Sequence, residues 1–305
     1  MEELHAYLAS YSPHLAGDNG TVMLDRPLAS LCTFRIGGTA DAVISPASVS
    51  DFCALVRGAE VRGIPYRILG AGSNILAADC GFRGVVFSTK RLNNLSINGN
   101  YIEAECGLTL NTMILAAMHR GLGGLSALYG IPATVGGAVY MNAGAHGCEI
   151  SRYLVKVELF DTKVGRRFFL SRKALCFSYR HSRLQKEKHL VLLRACFCLP
   201  CEEENITHAE ICEVCRCRRA SQPLEYPSAG SAFRRPATSE AWRLIDAAGL
   251  RGRRIGGAQV SEKHAGFIIN RGGATSADVC ALLSLCEERV ETLFGVKLVR
   301  EIEFL

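Results

Sequence analysis

Residues 42–76 read AVISPASVSDFCALVRGAEVRGIPYRILGAGSNIL, and their punctuation decides how the chain is built. Ala42 to Ser45 reads as a short strand that Pro46 ends. Phe52, Leu55, Val56 and Ala59 then recur at helical spacing until Gly63 and Pro65 stop the helix. Tyr66 to Leu69 reads as a second strand, so the stretch is a βαβ unit whose second strand runs into Gly70-Ala71-Gly72-Ser73-Asn74. A glycine-rich loop after a strand offers main-chain N–H groups to an anion such as a diphosphate. It is not the dinucleotide fingerprint, because Ile75 stands where the third glycine belongs and no long periodic helix follows. Taken alone, the loop also reads as a plain turn between strands.

Further along, Val85 to Ser88 reads as a strand, and Leu95 to Ile97 and Tyr101 to Glu105 form a hairpin around Asn98-Gly99. Thr109 caps a helix with Leu110, Met113, Ile114 and Ala117 on one face, and Gly121 closes it. From Gly121 to Cys148 there is no Asp, Glu, Lys or Arg, but eight glycines rule out a membrane span and suit close backbone approach to a large ligand. Tyr153 to Phe160 and Arg166 to Leu170 pair across a turn at Asp161 to Gly165, and Leu190 to Cys198 reads as another strand. Near Pro200 to Asn205 a run of glutamates marks a boundary, after which Thr207 and Glu210 read as a capping box. The last part carries a helix over Ala241 to Ala248 and a long one from about Ser276 to Phe294, striped by Val279, Leu282, Leu283, Cys286, Val290 and Leu293. Gly295 closes the long helix before a final strand, Val296 to Phe304. The resulting modules are 1–90, 91–203 and 204–305.

The 305 residues are 49% hydrophobic and 21% charged, which excludes disorder and a fibrous repeat. The 35 Lys+Arg against 29 Asp+Glu leave +6, which favours small anionic ligands. Arg251, Arg253 and Arg254 lack the interleaved aromatics of a nucleic-acid binder, so no nucleic acid is expected. The opening MEELHAYLASY lacks a basic region leading into an apolar one, so a cytosolic chain is expected, with no membrane partner. Fourteen cysteines in a long chain of this kind are expected to be free and mostly buried thiols. Cys196-x-Cys198-x-x-Cys201 and Cys212-x-x-Cys215-x-Cys217 have spacings seen in zinc sites. They also fit one face of a strand and of a helix, and no metal is expected.

Six ordered motifs are more specific: 33–38 (TFRIGG), 69–76 (LGAGSNIL), 130–147 (GIPATVGGAVYMNAGAHG), 177–180 (FSYR), 228–233 (SAGSAF) and 254–270 (RIGGAQVSEKHAGFIIN). From about Leu28 to Glu303 the chain resembles the UDP-N-acetylenolpyruvoylglucosamine reductases, in their shorter type II form. The resemblance implies an α+β protein: a two-lobed vanillyl-alcohol-oxidase-type (PCMH-type) FAD-binding domain followed by a C-terminal α/β substrate-binding domain. It implies an NADPH-dependent flavoenzyme that reduces UDP-N-acetyl-3-O-(1-carboxyvinyl)-glucosamine to UDP-N-acetylmuramate for peptidoglycan; a cytoplasmic monomer is expected. FAD is expected to be non-covalent, since no histidine lies in residues 66–90 to link it. An FAD-dependent alcohol or lactone oxidase of the same fold is the alternative.

By the same resemblance Gly70, Ala71, Gly72, Ser73, Asn74, Ile75 and Leu76 hold the FAD diphosphate region, with Arg35 nearby. Ile131, Pro132, Thr134, Val135, Gly136, Gly137, Asn142, Gly144 and Ala145 border the flavin. Reduction of an enol ether conjugated to a carboxylate needs a hydride at the β carbon, a sink for the charge on the carboxylate and a proton for the α carbon. Ser231 matches the family's proton donor, Arg180 the arginine that polarises the carboxylate, and Glu301 the catalytic glutamate. Glu303 has the same side-chain parity, so spacing alone does not separate the two. Tyr179, Arg235, Gln259, Lys263 and His264 are the candidate substrate contacts, with Arg234-Arg235 departing from the Lys-Asn pair of many members.

Overall fold

A computed structural model of the chain describes residues 2–11 and 20–305. They pack as two compact units, one from the described residues of 1–24 with 42–71 and 83–216, the other from 25–41, 72–82 and 217–305.

In the first unit the βαβ reading of 42–69 is realised. Strands Thr39–Pro46 and Tyr66–Leu69 flank Phe82–Ser88 in a sheet whose fourth strand is Gly20–Pro27. Tyr66–Leu69 runs parallel to Phe82–Ser88, Tyr66 opposite Val85 and Leu69 opposite Ser88. The helix between, Val49–Val61, starts where the Ser48 hydroxyl accepts the Asp51 N–H at 3.1 Å and buries Phe52, Leu55, Val56 and Ala59. Gly63 ends it at φ +64.

The second sheet of this unit orders Arg166–Ser171, Leu154–Asp161, Leu190–Cys198, Tyr101–Glu105 and Leu95–Asn98, antiparallel throughout. Across its middle, Arg194 faces Glu158 on one side and Glu105 on the other. Its guanidinium lies 3.6 Å and 3.2 Å from those carboxylates, whose side chains are 8% and 5% exposed. Arg167 adds a 2.6 Å contact to Glu158, and the Asn94 main-chain and side-chain N–H groups donate to Glu105 at 3.1 Å. Buried carboxylates persist only when paired and hydrogen-bonded in this way.

Helix Glu204–Ser221 corrects the capping-box reading. It begins before Thr207, which is buried inside its first turn and donates to Glu202 at 2.5 Å, while Glu210 accepts the Ser126 hydroxyl. Thr207 is spent on a local bond to Glu202 and Glu210 on a tertiary contact to Ser126, so neither side chain caps a helix start.

The second unit has an antiparallel sheet ordered Ser228–Ser231, Phe267–Asn270, Ala258–Val260 and Arg254–Ile255. Helices Ala241–Ala247 and Ser276–Phe294 bury Ile245, Val279, Leu282, Leu283, Cys286 and Val290 with it. Leu293 falls outside that stripe at 49% exposure. Thr275 and Asp278 form a reciprocal capping box at the long helix, and the Asp79 carboxylate accepts the N–H groups of Ser276 and Ala277 at 2.7 and 3.1 Å. Gly295 closes the helix at φ +65.

The expected strand Val296 to Phe304 is shorter than its sequence pattern: only Glu303–Phe304 is a strand, parallel to Ile75–Leu76. Before it the segment meets neighbours at single points, Val299 O accepting Arg234 N–H at 2.8 Å and Arg300 bridging to Phe233, so no ladder extends.

No disulfide forms among the cysteines, but the expectation of mostly buried thiols fails. Cys32, Cys53, Cys106, Cys148 and Cys286 are buried, whereas Cys80, Cys176, Cys201 and Cys212 are exposed. Burial pushes Cys53 up to about 11 and Cys106 and Cys286 up to about 12, which makes these thiols inert at neutral pH. Among the described residues no group of three or more His, Cys, Asp or Glu is arranged to hold a metal, and no helix is long and apolar enough to cross a membrane.

Candidate active site

The loop after strand Tyr66–Leu69 turns where Gly72 adopts φ +67, and the Gly72 carbonyl accepts the Thr33 N–H at 3.1 Å. A Cβ on Gly72 would lie 2.4 Å from the Leu31 carbonyl oxygen, and one on Gly70 would lie 2.3 Å from Thr134 Oγ1. Both glycines are therefore demanded by close approach, and Gly72 by its turn geometry as well. The main-chain N–H groups of Gly70, Ala71, Gly72, Ser73 and Asn74 donate to no acceptor among the described residues. Consecutive N–H groups without acceptors suit the oxygens of a diphosphate. Ile75 and Leu76 leave the loop as the short strand that pairs with Glu303–Phe304. Arg35, exposed and at φ +55, donates its own N–H to Cys32 O at 3.1 Å.

In the first unit, Thr134 caps the six-residue helix Val135–Tyr140, its Oγ1 accepting Gly137 N–H at 3.3 Å. The amides of Val135 and Gly136 are taken by Leu108 and Cys106 carbonyls, both at 2.8 Å, so they are not available to a ligand. Ile131 is partly buried and Pro132 exposed ahead of that helix, while Gly144 and Ala145 pair with Cys148–Glu149. Asn142 is fully buried at φ +46. Its Nδ2 donates to Glu149 at 2.9 Å and to Ser178 O at 3.0 Å, and its Oδ1 has no partner.

A buried acceptor with no donor is costly unless a ligand satisfies it. An isoalloxazine ring carries an N–H, and an FAD carries a diphosphate. The orphaned Asn142 Oδ1 fits that ring N–H, and the unsatisfied amides over residues 70–74 fit that diphosphate.

Arg180 sits in a two-residue turn closed by Ser178 and His181, which exchange main-chain hydrogen bonds at 3.1 and 3.0 Å. Its φ is +53, its guanidinium lies 5.1 Å from the centre of the exposed Tyr179 ring, and its Nη2 donates to Gly144 O at 2.8 Å. Gln185 donates to Arg180 O and to Tyr140 O, both at 3.1 Å, and Ser182 donates to Tyr140 O at 2.7 Å. Motif reading passed over Gln185 and Ser182. The signal was weak, polar residues two and five positions beyond the arginine on a short helical turn.

In the second unit, Ser231 is exposed at the end of strand Ser228–Ser231, after Gly230 at φ +77. The next residue, Ala232, accepts Glu301 N–H at 2.9 Å, and the Asn74 side chain donates to Glu301 O at 2.9 Å. The backbone of Glu301 is thus stitched on one side to the Ser231 segment and on the other to the glycine loop. Glu303 N–H instead donates to Asn74 O at 2.9 Å.

The remaining candidates have protein partners. Gln259 donates to Gly252 O at 2.9 Å, Lys263 to Arg219 O at 2.6 Å, and Arg235 pairs with Glu240 at 3.2 Å. His264 packs between the Trp242 and Phe267 rings, accepts Gly266 N–H at 3.1 Å on Nδ1, and is lowered below the ordinary histidine value by burial. A neutral ring with its proton on Nε2 is what that hydrogen bond requires.

Comparison with known proteins supplies the family. Residues 40–169 match the FAD binding domain model, and residues 222–305 match the model of the UDP-N-acetylenolpyruvoylglucosamine reductase C-terminal domain. The chain is 45% identical over 283 residues to the UDP-N-acetylenolpyruvoylglucosamine reductase of Caldicellulosiruptor bescii, covering 92% of this chain and 90% of that one. It is 41% identical over 290 residues to that of Clostridium botulinum, covering 94% and 93%. Among solved structures, the enzyme of the same name from Thermus caldophilus superposes with a TM-score of 0.79 at 32% identity, covering 93% of this chain and 98% of that one. An FAD-binding domain joined to a reductase C-terminal domain, on a chain this similar along nine-tenths of its length, places it in one family: the chain belongs to the UDP-N-acetylenolpyruvoylglucosamine reductases.

Proposed function

We propose that this chain reduces the enolpyruvyl ether of UDP-N-acetyl-3-O-(1-carboxyvinyl)-glucosamine to UDP-N-acetylmuramate, with NADPH as reductant and FAD as carrier, in peptidoglycan precursor synthesis. The observation that supports the assignment of roles is the hydrogen bond from Glu301 N–H to Ala232 O, which ties the segment bearing Glu301 to the segment bearing Ser231. FAD, when bound, supplies hydride to the β carbon of the enol ether. The Arg180 guanidinium forks onto the substrate carboxylate and stabilises the charge that gathers there. The Ser231 hydroxyl delivers the proton to the α carbon, and Glu301 shares a proton with the enolate-like intermediate.

Gly70 to Asn74 hold the diphosphate of FAD, and Asn142 offers its unsatisfied oxygen to the ring. Arg35, Ile131, Pro132 and Thr134 to Gly137, with Gly144 and Ala145, complete the cofactor contacts in this reading. Arg235, 56% exposed beside Glu240, meets the UDP diphosphate. Tyr179, Gln259, Lys263 and His264 lie along the substrate. The chain works in the cytoplasm as a monomer. The test is the visible spectrum of purified protein: flavin absorbance should bleach with NADPH and return on adding the UDP-enolpyruvyl sugar. Protein that bleaches but does not recolour with that sugar is not this reductase.

A further inference from the structure

We infer that Gln185 is a positioning residue that holds Arg180 in the conformation needed to meet the substrate carboxylate, an inference that rests on the carboxylate-binding reading of Arg180. Arg180 occupies the left-handed region, φ +53, which a residue bearing a Cβ keeps only where its surroundings hold it there. Three contacts do so. The Ser178–His181 hydrogen bonds close the turn, the guanidinium rests on Gly144 O at 2.8 Å, and the Gln185 amide binds the Arg180 carbonyl at 3.1 Å. The Gln185 amide also donates to Tyr140 O at 3.1 Å and meets Met141 Sδ at 3.5 Å, so one planar group ties the arginine's peptide to the end of helix Val135–Tyr140. The orientation of the Arg180 carbonyl sets the peptide plane that follows Arg180, and with it the backbone torsion from which the side chain departs. Gly144 completes the fit, because a Cβ there would lie 3.2 Å from Arg180 Nη1. Gln185 itself touches no reacting atom in this assignment.

The test uses FAD-loaded full-length enzyme and three variants. Gln185→Met removes both donors at similar length, Gln185→Glu replaces them with a carboxylate facing two carbonyls, and Gln185→Lys restores a donor. Stopped-flow absorbance should show flavin reduction by NADPH at the parent rate in all three. Reoxidation by the UDP-enolpyruvyl sugar should slow about tenfold in the Met and Glu variants and recover in Gln185→Lys, the scale of one or two lost hydrogen bonds. Calorimetric titration of the oxidised enzyme with the sugar should show Kd rising by a similar factor and recovering in Gln185→Lys. If Met and Glu variants bind and reoxidise like the parent, or if both half-reactions slow together with no recovery in Gln185→Lys, the positioning role is overturned. Should Gln185→Met fail to fold, the Glu and Lys pair decides in the same way. Arg180→Ala separates the two readings. If it leaves Kd and reoxidation unchanged, the carboxylate assignment falls and this inference with it; if it damages both while the Met and Glu variants do not, only the inference falls.

Discussion

Ser231 owes its place to Gly230, whose φ of +77 lies in the irregularity between the Ser228–Ile269 and Ser231–Phe267 pairs, and the serine is exposed at the strand's last position. A serine hydroxyl is a weak acid, so its contribution depends on being held against the α carbon. Ser231→Ala should leave flavin reduction by NADPH near the parent rate and slow reoxidation by substrate at least ~100-fold, the loss expected for a positioned general acid. Stopped-flow absorbance at the flavin maximum measures each half. Glu301 and Glu303 share parity in the sequence, and the hydrogen bonds divide them: Glu301 N–H reaches Ala232, next to Ser231, while Glu303 N–H reaches Asn74. Glu301→Gln should therefore slow reoxidation by at least ~10-fold and Glu303→Gln should not. Equal loss in the two variants, measured as substrate-driven recolouring, would undo that assignment.

At the scale of one element, helix Ser276–Phe294 shows how much a local pattern can state. Thr275 and Asp278 announce its start, Gly295 its end, and the stripe from Val279 to Val290 its buried face. The Asp278 carboxyl is held below its ordinary value of 3.8 by the N–H groups of Thr275 and Gly257. A carboxyl with a lowered folded value stabilises the fold above the ordinary value and loses that contribution as pH falls through the lowered one. Asp278→Ala should cost about 1 kcal/mol at neutral pH, typical of a lost cap, with the Tm gap to the parent narrowing as melts are taken down to about pH 3. A gap of constant size across that range would show that the charge is not what matters. Helix Glu204–Ser221 shows the converse, since Thr207 and Glu210 have the spacing of a cap and neither caps anything.

At the scale of the whole molecule, the Glu158–Arg194–Glu105 ladder joins three strands far apart in sequence and nearly excludes water from two carboxylates. Arg194→Leu would leave both carboxylates short of their shared cation and should cost about 3–5 kcal/mol, read from chemical denaturation with the slope of the transition unchanged. A cost under about 1 kcal/mol would mean that Arg167 and Asn94 suffice to keep the pair. By itself the sequence determined the βαβ unit, the glycine loop, the hairpins and the capped helix of the second unit. Each is set by contacts or torsions within a few residues, so propensity and spacing carry the whole signal. Six spaced motifs likewise named the family. Only the tertiary structure decided that the segment before Glu303 is not a strand, that Arg180 is left-handed with Gln185 on its carbonyl, and that Glu301 rather than Glu303 is stitched to the Ser231 segment. Those outcomes depend on partners such as Asn74 and Glu301, 227 positions apart, whose meeting is settled by how the second unit's core packs and not by any local preference of either residue.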